Sequence, residues 1–168
     1  MPQELRLYRK MSCSSGELDH KLTLAVDYKI QIFVPTVFRK GLDKAELIKR
    51  NIWYLITLGK YKIVYIMHGN KIAHYSYIIP KNFRFPFMKK GDLQIGPCYT
   101  YPSYRGKGLY ADALKYIFSI FSDEDRVFWI YTAQNNEASR HVIEKSGFEF
   151  QNLLRNSGVF RILKKNKD

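Results

Sequence analysis

The segment Tyr101-Pro102-Ser103-Tyr104-Arg105-Gly106-Lys107-Gly108-Leu109-Tyr110 sets two glycines around a lysine, with an arginine just before them. An alternating apolar stretch precedes it and a helical pattern follows it. A helix start carries unsatisfied backbone N–H groups and the positive end of the peptide dipole. Glycines let an anion approach that backbone closely, and Arg105 and Lys107 add full charges. The chemistry implied is a cradle for phosphate; the plain alternative is a basic strand–helix turn that holds nothing. A nucleotide P-loop is excluded, because Tyr101 stands where its first glycine belongs and Gly108 where its Ser or Thr belongs. Gly106-x-Gly108-x-x-Ala111 matches a relaxed dinucleotide fingerprint, but the acidic residues Asp123, Glu124 and Asp125 precede the following strand instead of ending it.

The stretch Pro102-Ser103-Tyr104-Arg105-Gly106-Lys107-Gly108 between strand and helix resembles the GNAT family of acyl-CoA-dependent N-acetyltransferases. Arg105, Gly108 and Tyr110 occupy the places of that family's Gln/Arg-x-x-Gly-x-Gly/Ala motif; the Tyr departs from it, since a tiny residue is preferred there. Further on, Asn136-x-x-Ser139 followed by Glu144-Lys145-Ser146-Gly147-Phe148 resembles the family's Asn-x-x-Ala…Lys-x-Gly-Phe block. The resemblance is good over residues 92–150, extends plausibly back to Tyr61, and is absent before Gly41. It implies a mixed α/β (α+β) acyltransferase fold, a central mixed sheet flanked by helices, with residues 1–168 forming one domain.

The resemblance also implies acetyl-CoA as cofactor, held where two adjacent central strands splay, here Asp92–Thr100 and Arg126–Tyr131. Tyr99, Thr100 and Tyr101 would pair with the pantetheine arm, and Arg105, Gly106, Lys107, Gly108, Leu109 and Tyr110 would hold the pyrophosphate. Asn136 and Ser139 would lie near the other end of the arm. Direct attack of a neutral amine on the thioester would need an oxyanion donor, expected as a backbone N–H near Tyr99. The phenol that many members place four residues before the Gly of Gly-Phe is replaced by Ile143. Tyr110, Tyr131 and His141 are the alternatives as proton donor. His74 is the candidate base, one strand from the acetyl position, with a packed histidine as the alternative. Cys98 could approach the acyl group, but an acyl-cysteine is not the family's route. No His/Asp/Glu cluster has ligand spacing, so no metal is expected.

The acceptor is read from Lys81-Asn82-Phe83-Arg84-Phe85-Pro86-Phe87-Met88-Lys89-Lys90, where aromatics beside cations could stack on a ring and pair with phosphate. The same loop could instead cover the sheet with its Phe residues. The first option points to a primary amine on a small anionic acceptor, such as a nucleotide-linked amino sugar. The run Ile95–Thr100 before Arg-Gly-Lys-Gly-Leu-Tyr also resembles members associated with bacterial surface-polysaccharide synthesis. Family members often pair through edge or C-terminal strands, so a homodimer is a further expectation.

These residues need elements to place them. Alternation marks strands over Glu4–Lys10, Tyr61–Met67, Lys71–Ile79, Asp92–Thr100, Arg126–Tyr131, Phe148–Leu154 and Val159–Leu163. His68-Gly69-Asn70 and Asn156-Ser157-Gly158 supply turns. Helical patterns run from an Asp43 cap to about Leu58, over Gly108–Phe121, and over Asn136–Lys145. Lys21–Val34 fits either state, and residues 163–168 read as a frayed tail.

The length of 168 residues and an apolar share of 46% suit one buried core without staples, and Cys13 and Cys98 read as ordinary thiols of a reducing cytoplasm. No apolar run reaches the ~20 residues of a membrane span. The net charge of +13 favours anionic partners and disfavours polycationic acceptors. It leaves two other readings: an acyl-CoA-binding protein without catalysis, and a basic nucleic-acid-binding module.

Overall fold

A computed structural model describes residues 4–12, 24–35, 44–121, 125–157 and 162–165. Its strands are β1 (Leu5–Met11), β2 (Tyr28–Phe33), β3 (Lys62–His68), β4 (Lys71–Pro80), β5 (Leu93–Thr100), β6 (Val127–Ala133), β7 (Glu149–Ser157) and β8 (Ile162–Lys165). Its helices are α1 (Lys44–Thr57), α2 (Leu109–Ile120) and α3 (Glu137–Lys145). Among the described residues the strands form one sheet in the order β2-β3-β4-β5-β6-β1-β7-β8. All neighbours are antiparallel except β5 and β6, which run parallel.

Two-residue alternation divides the core between the faces of the sheet. On one side Leu93, Ile95, Phe128 and Ile130 pack with Leu114, Ile117 and Phe118 of α2 and Ile143 of α3. On the other, Leu7, Ile63, Tyr77, Ile79 and Trp129 pack with Phe85 and Met88, and with Trp53 and Tyr54 of α1. Trp129 thus faces away from Phe128 and Ile130. Asp92 fixes the entrance to β5: its Oδ2 accepts from Trp129 Nε1 at 2.9 Å and from the Lys89 backbone N–H at 2.8 Å.

Most expected elements stand within a residue or two of their positions. The ambiguous Lys21–Val34 stretch contributes the edge strand β2, and the Asp43 cap lies outside the described residues. Two expectations at the C-terminus are corrected. Asn156 and Ser157 are not a turn but continue β7, pairing with Leu163 and Ile162. The stretch 163–168 is not frayed from its start, because Leu163 is 1% exposed and Lys164 and Lys165 pair with Arg155 and Leu154. Burying Leu163 in the core is what draws the strand in. Val159 lies outside the described residues.

Candidate active site

The parallel ladder between β5 and β6 has only two rungs, Leu93↔Phe128 and Gln94↔Trp129. Beyond Gln94 the strands part. β5 stays on β4, but with a register shift between Ser76 and Ile78 that sets Gly96 and Pro97 opposite a single residue. Such a bulge bends its strand. Gly96 has φ of +130°, a conformation open to glycine, and a Cβ there would come within 2.9 Å of Gln94 Nε2. The opening is a cavity of about 290 Å³ whose walls include Gln94, Cys98, Tyr110, Tyr131, Asn136 and Ser139.

Tyr110, in the first turn of α2, brings the start of that helix to the wall of this cavity. Gly108 is the N-cap, with φ of +74°, and Gly106 has φ of +75°. A Cβ on either would project into open space, so these glycines keep a solvent-facing hollow at the helix start clear. Arg105 and Lys107 flank it, both exposed. Arg105 Nε donates to the Thr100 carbonyl at 3.2 Å, and its guanidinium lies 5.8 Å from the Tyr99 ring. Lys107 Nζ donates to the Tyr28 hydroxyl at 3.2 Å and lies 5.7 Å from the Tyr104 ring. Leu109 points into the core and is 3% exposed, so it can offer only backbone to a ligand. The backbone amides, open hollow and two cations fit a diphosphate.

Behind the opening is a chain of neutral polar groups. His74 is fully buried; its Nδ1 lies 2.7 Å from Thr100 Oγ1 and its Nε2 2.8 Å from Ser76 Oγ. Its ring stacks on Tyr110, with centroids 5.6 Å apart. Cys98 hydrogen-bonds both Ser76 and Tyr110, and burial pushes its thiol up to about 11. Tyr110 is raised well above the usual phenol value, first by burial and then by its Cys98 neighbour. Burial also raises Tyr131, although the Arg84 charge opposes the shift. Among the described residues no Asp, Glu or His lines the cavity.

A family model for the acetyltransferase (GNAT) family matches residues 35–148, two thirds of the chain. The chain belongs to the GNAT family. No curated protein matches it. Solved structures of similar fold include a conserved protein of unknown function from Staphylococcus epidermidis. That structure has TM-score 0.61 and 13% identity, with 91% of this chain and 60% of that one covered. A tandem GNAT protein from the clavulanic acid biosynthesis pathway gives TM-score 0.63 and 13% identity, covering 89% and 50% of the two chains. A GNAT acetyltransferase from Colwellia psychrerythraea gives TM-score 0.58 and 15% identity, covering 91% and 54%. This chain therefore spans between half and about three fifths of the length of these structures.

Of the motif residues, Tyr110, Asn136 and Ser139 line the cavity, while Arg105, Gly106, Lys107 and Gly108 lie just before α2 and outside its lining; two further expectations are revised. His74 does not face the cavity as a base. It lies inside the sheet with both nitrogens engaged, and burial lowers it to about 4. The backbone N–H of Tyr99 is not on the open edge either. Tyr101 donates to the Ala73 carbonyl at 3.0 Å, so alternation turns Tyr99 and Tyr101 toward β4 and leaves Cys98 and Thr100 facing the opening.

Tyr110, the departure from the GNAT motif, does not crowd the cradle, because its ring turns inward onto His74. Asn136 caps α3 by accepting from the Ser139 N–H at 3.2 Å. Ile143 is fully buried under the sheet. His141 is exposed on α3 and does not line the cavity. Phe85 and Met88 of the basic loop cover the sheet, whereas Phe83 is 54% exposed.

A buried polar residue of the cavity wall that the motifs did not single out is Gln94. Its signal was present, as a polar residue inside the apolar triplet Leu93-Gln94-Ile95, flanked by side chains that enter the core. Among the described residues no group of His, Cys, Asp and Glu is placed to hold a metal ion, and no helix is long and apolar enough to cross a membrane.

Proposed function

We propose that this chain transfers acetyl from acetyl-CoA to the primary amine of a small anionic acceptor, such as a nucleotide-linked amino sugar, by direct attack. The observation that carries the reading is the two-rung ladder between β5 and β6, opening beside the glycine-lined start of α2. An extended arm can lie in that parting as a further strand, bonding the free edge of β5 while its diphosphate rests on the helix start. Acetyl-CoA supplies an acyl group already activated as a thioester with a good leaving group.

Each wall then has a task. The backbone N–H of Cys98, on the edge of β5 turned away from β4 and at the cavity wall, can donate to a developing oxyanion. Tyr131 lines the same cavity and stays protonated through neutral pH, so it can hydrogen-bond the departing sulfur and deliver a proton. A thiol held near 11 is a poor nucleophile at neutral pH, which favours direct attack over an acyl-Cys98 route. With no Asp, Glu or His on the cavity wall among the described residues, the amine is taken to arrive neutral. The net charge of +13 and the Arg84 guanidinium near Tyr131 support an acceptor bearing negative charge.

A melting curve with and without acetyl-CoA tests the reading. At ~100 times the dissociation constant the ligand adds roughly 2.7 kcal/mol, a rise of roughly 5–11 °C for a chain of this size. Thiol release in a panel of amines led by nucleotide amino sugars then identifies the acceptor. No rise at saturating ligand would overturn the cofactor assignment. A rise with no thiol release from any amine would favour a binding protein without catalysis.

A further inference from the structure

Helix α1 has two apolar faces, and the sheet uses only one. Trp53 and Tyr54 turn inward and pack with Phe85 and Met88. Ile48, Ile52 and Leu55, spaced four and three residues apart, form a stripe on the other side, and Leu58 continues it just past the last turn. These four side chains are 50–79% exposed. A large apolar side chain standing singly in water is ordinary, but a row of them marks a surface that meets something.

Leu58 carries a second signal. The helix closes with the Gly59 N–H donating to the Tyr54 carbonyl at 2.9 Å and the Leu58 N–H reaching the Leu55 carbonyl at 3.5 Å. That pattern puts Leu58 at the left-handed place of the cap, where glycine is the usual residue, and its φ is +51°. A leucine there strains the backbone and leaves an apolar side chain in water, whereas a glycine would do neither. The stop of α1 thus holds out a leucine that folding alone disfavours.

The charge around the stripe says what it meets. The segment 81–90 adjoins α1, since the Arg84 guanidinium lies 5.3 Å from the Trp53 ring. Residues 44–62 and 81–90 hold nine Lys or Arg against a single acid, Glu46, so eight of the net +13 charges fall in under a fifth of the chain. Lys60, Lys81, Lys89 and Lys90 are exposed. Nucleic acid would match that charge but leave the leucines in water. An anionic bilayer answers both, with acyl chains for the stripe and headgroups for the lysines. We propose that α1 and the segment 81–90 dock this chain on an anionic lipid surface, α1 lying in the headgroup plane with Ile48, Ile52, Leu55 and Leu58 inserted. This face lies on the side of the sheet that carries Phe85 and Trp129, whereas α2 covers the other. A docked chain therefore keeps the glycine-lined start of α2 open to solution. The inference does not depend on the acetyl-transfer reading.

Vesicle flotation tests this with two compositions, phosphatidylcholine alone and phosphatidylcholine with about a third phosphatidylglycerol. The wild-type chain should bind the anionic vesicles about 10-fold or more tightly than the neutral ones. Leu55→Gln combined with Leu58→Gln keeps the net charge and removes apolar surface only. It should lower binding to the anionic vesicles roughly 10-fold or more, with the melting temperature equal or higher. Leu58→Gly alone should weaken vesicle binding and raise the melting temperature, since it relieves the left-handed strain. Equal binding to both compositions, or binding to neither, would overturn the inference without any variant. Anionic binding that the double variant leaves unchanged would reduce it to adsorption by net charge and overturn the docking face. Self-association in solution that the double variant abolishes, with no vesicle binding, would assign the stripe to a second copy of the chain instead.

Discussion

The two ends of the cleft are built from opposite materials. At the start of α2 the two glycines with positive φ, Arg105 and Lys107 are all exposed. A few residues away, the cavity wall holds Gln94, Cys98, Tyr110 and Tyr131, polar but uncharged, with His74 held neutral behind them. Charge is placed where an anion must be captured from water, whereas the cavity wall itself is neutral among the described residues, with Arg84 acting on Tyr131 from outside that wall. Capture gains from long-range attraction, whereas transfer of an acyl group gains from fixed dipoles in a dry setting. The comparison separates residues that should govern affinity from those that should govern turnover.

The sharpest way to break that division is Gly108→Glu. A side chain forced into a left-handed position, with its carboxylate in the hollow, should weaken acetyl-CoA binding by roughly 100-fold or more. Titration calorimetry on the folded variant checks this, and unchanged affinity would mean that the diphosphate does not rest there.

Tyr131→Phe probes the other end. Turnover should fall roughly 10-fold or more while the affinity for acetyl-CoA stays constant. Because burial raises Tyr131, its phenol remains protonated beyond the ordinary tyrosine range, and so gives no alkaline decline below about pH 10. With no Asp, Glu or His on the wall among the described residues, kcat/KM should climb with pH up to the pKa of the amine itself and then level. A break that stays near pH 6.5 with amines of different pKa would restore an enzyme base to the cleft.

The smallest expected effect concerns the group behind the wall. His74 is lowered to about 4 by burial, below its unfolded value near 6.5. Between those values the unfolded chain binds the extra proton, so stability falls as the pH drops through this window and levels below it. Between pH 7 and pH 5 the loss should be about 2 kcal/mol. Urea unfolding at the two pH values measures it, and His74→Gln should flatten the dependence even though it lowers stability at pH 7. An equal slope in the variant would assign acid sensitivity to other groups.

Much of the second half of the molecule was legible because its function is written in backbone chemistry. Gly106, Gly108, Asn136 and the Ser146-Gly147 stop each mark a turn or cap that few other residues satisfy, and the helices and strands between them follow from periodicity. What sequence could not reveal depends on strand phase. The Gly96-Pro97 bulge shifts the register of β5 on β4, and which backbone edge Cys98, Tyr99 and Thr100 present depends on that pairing. His74 sits in a strand whose apolar neighbours fit either face, so its burial between Thr100 and Ser76 needed the third dimension. Insertion of the N-terminal β1 between β6 and β7 was equally hidden, since pairing between distant segments leaves no local mark. At the C-terminus, Asn156 and Ser157 carry turn chemistry yet lie in a strand, because burial of Leu163 outweighs their local preference.

A sheet joined across its middle by two rungs behaves mechanically as two plates with a short seam. The β2–β5 plate and the β6–β1–β7–β8 plate are each laced by long antiparallel ladders, and α2 and α3 bridge the back. The seam is the compliant line along which thermal opening costs least. An extended arm seated there adds hydrogen bonds to the weakest place in the protein. The metabolite would then work as a rivet, and the working lifetime of the chain against proteases would follow the supply of its own acyl donor.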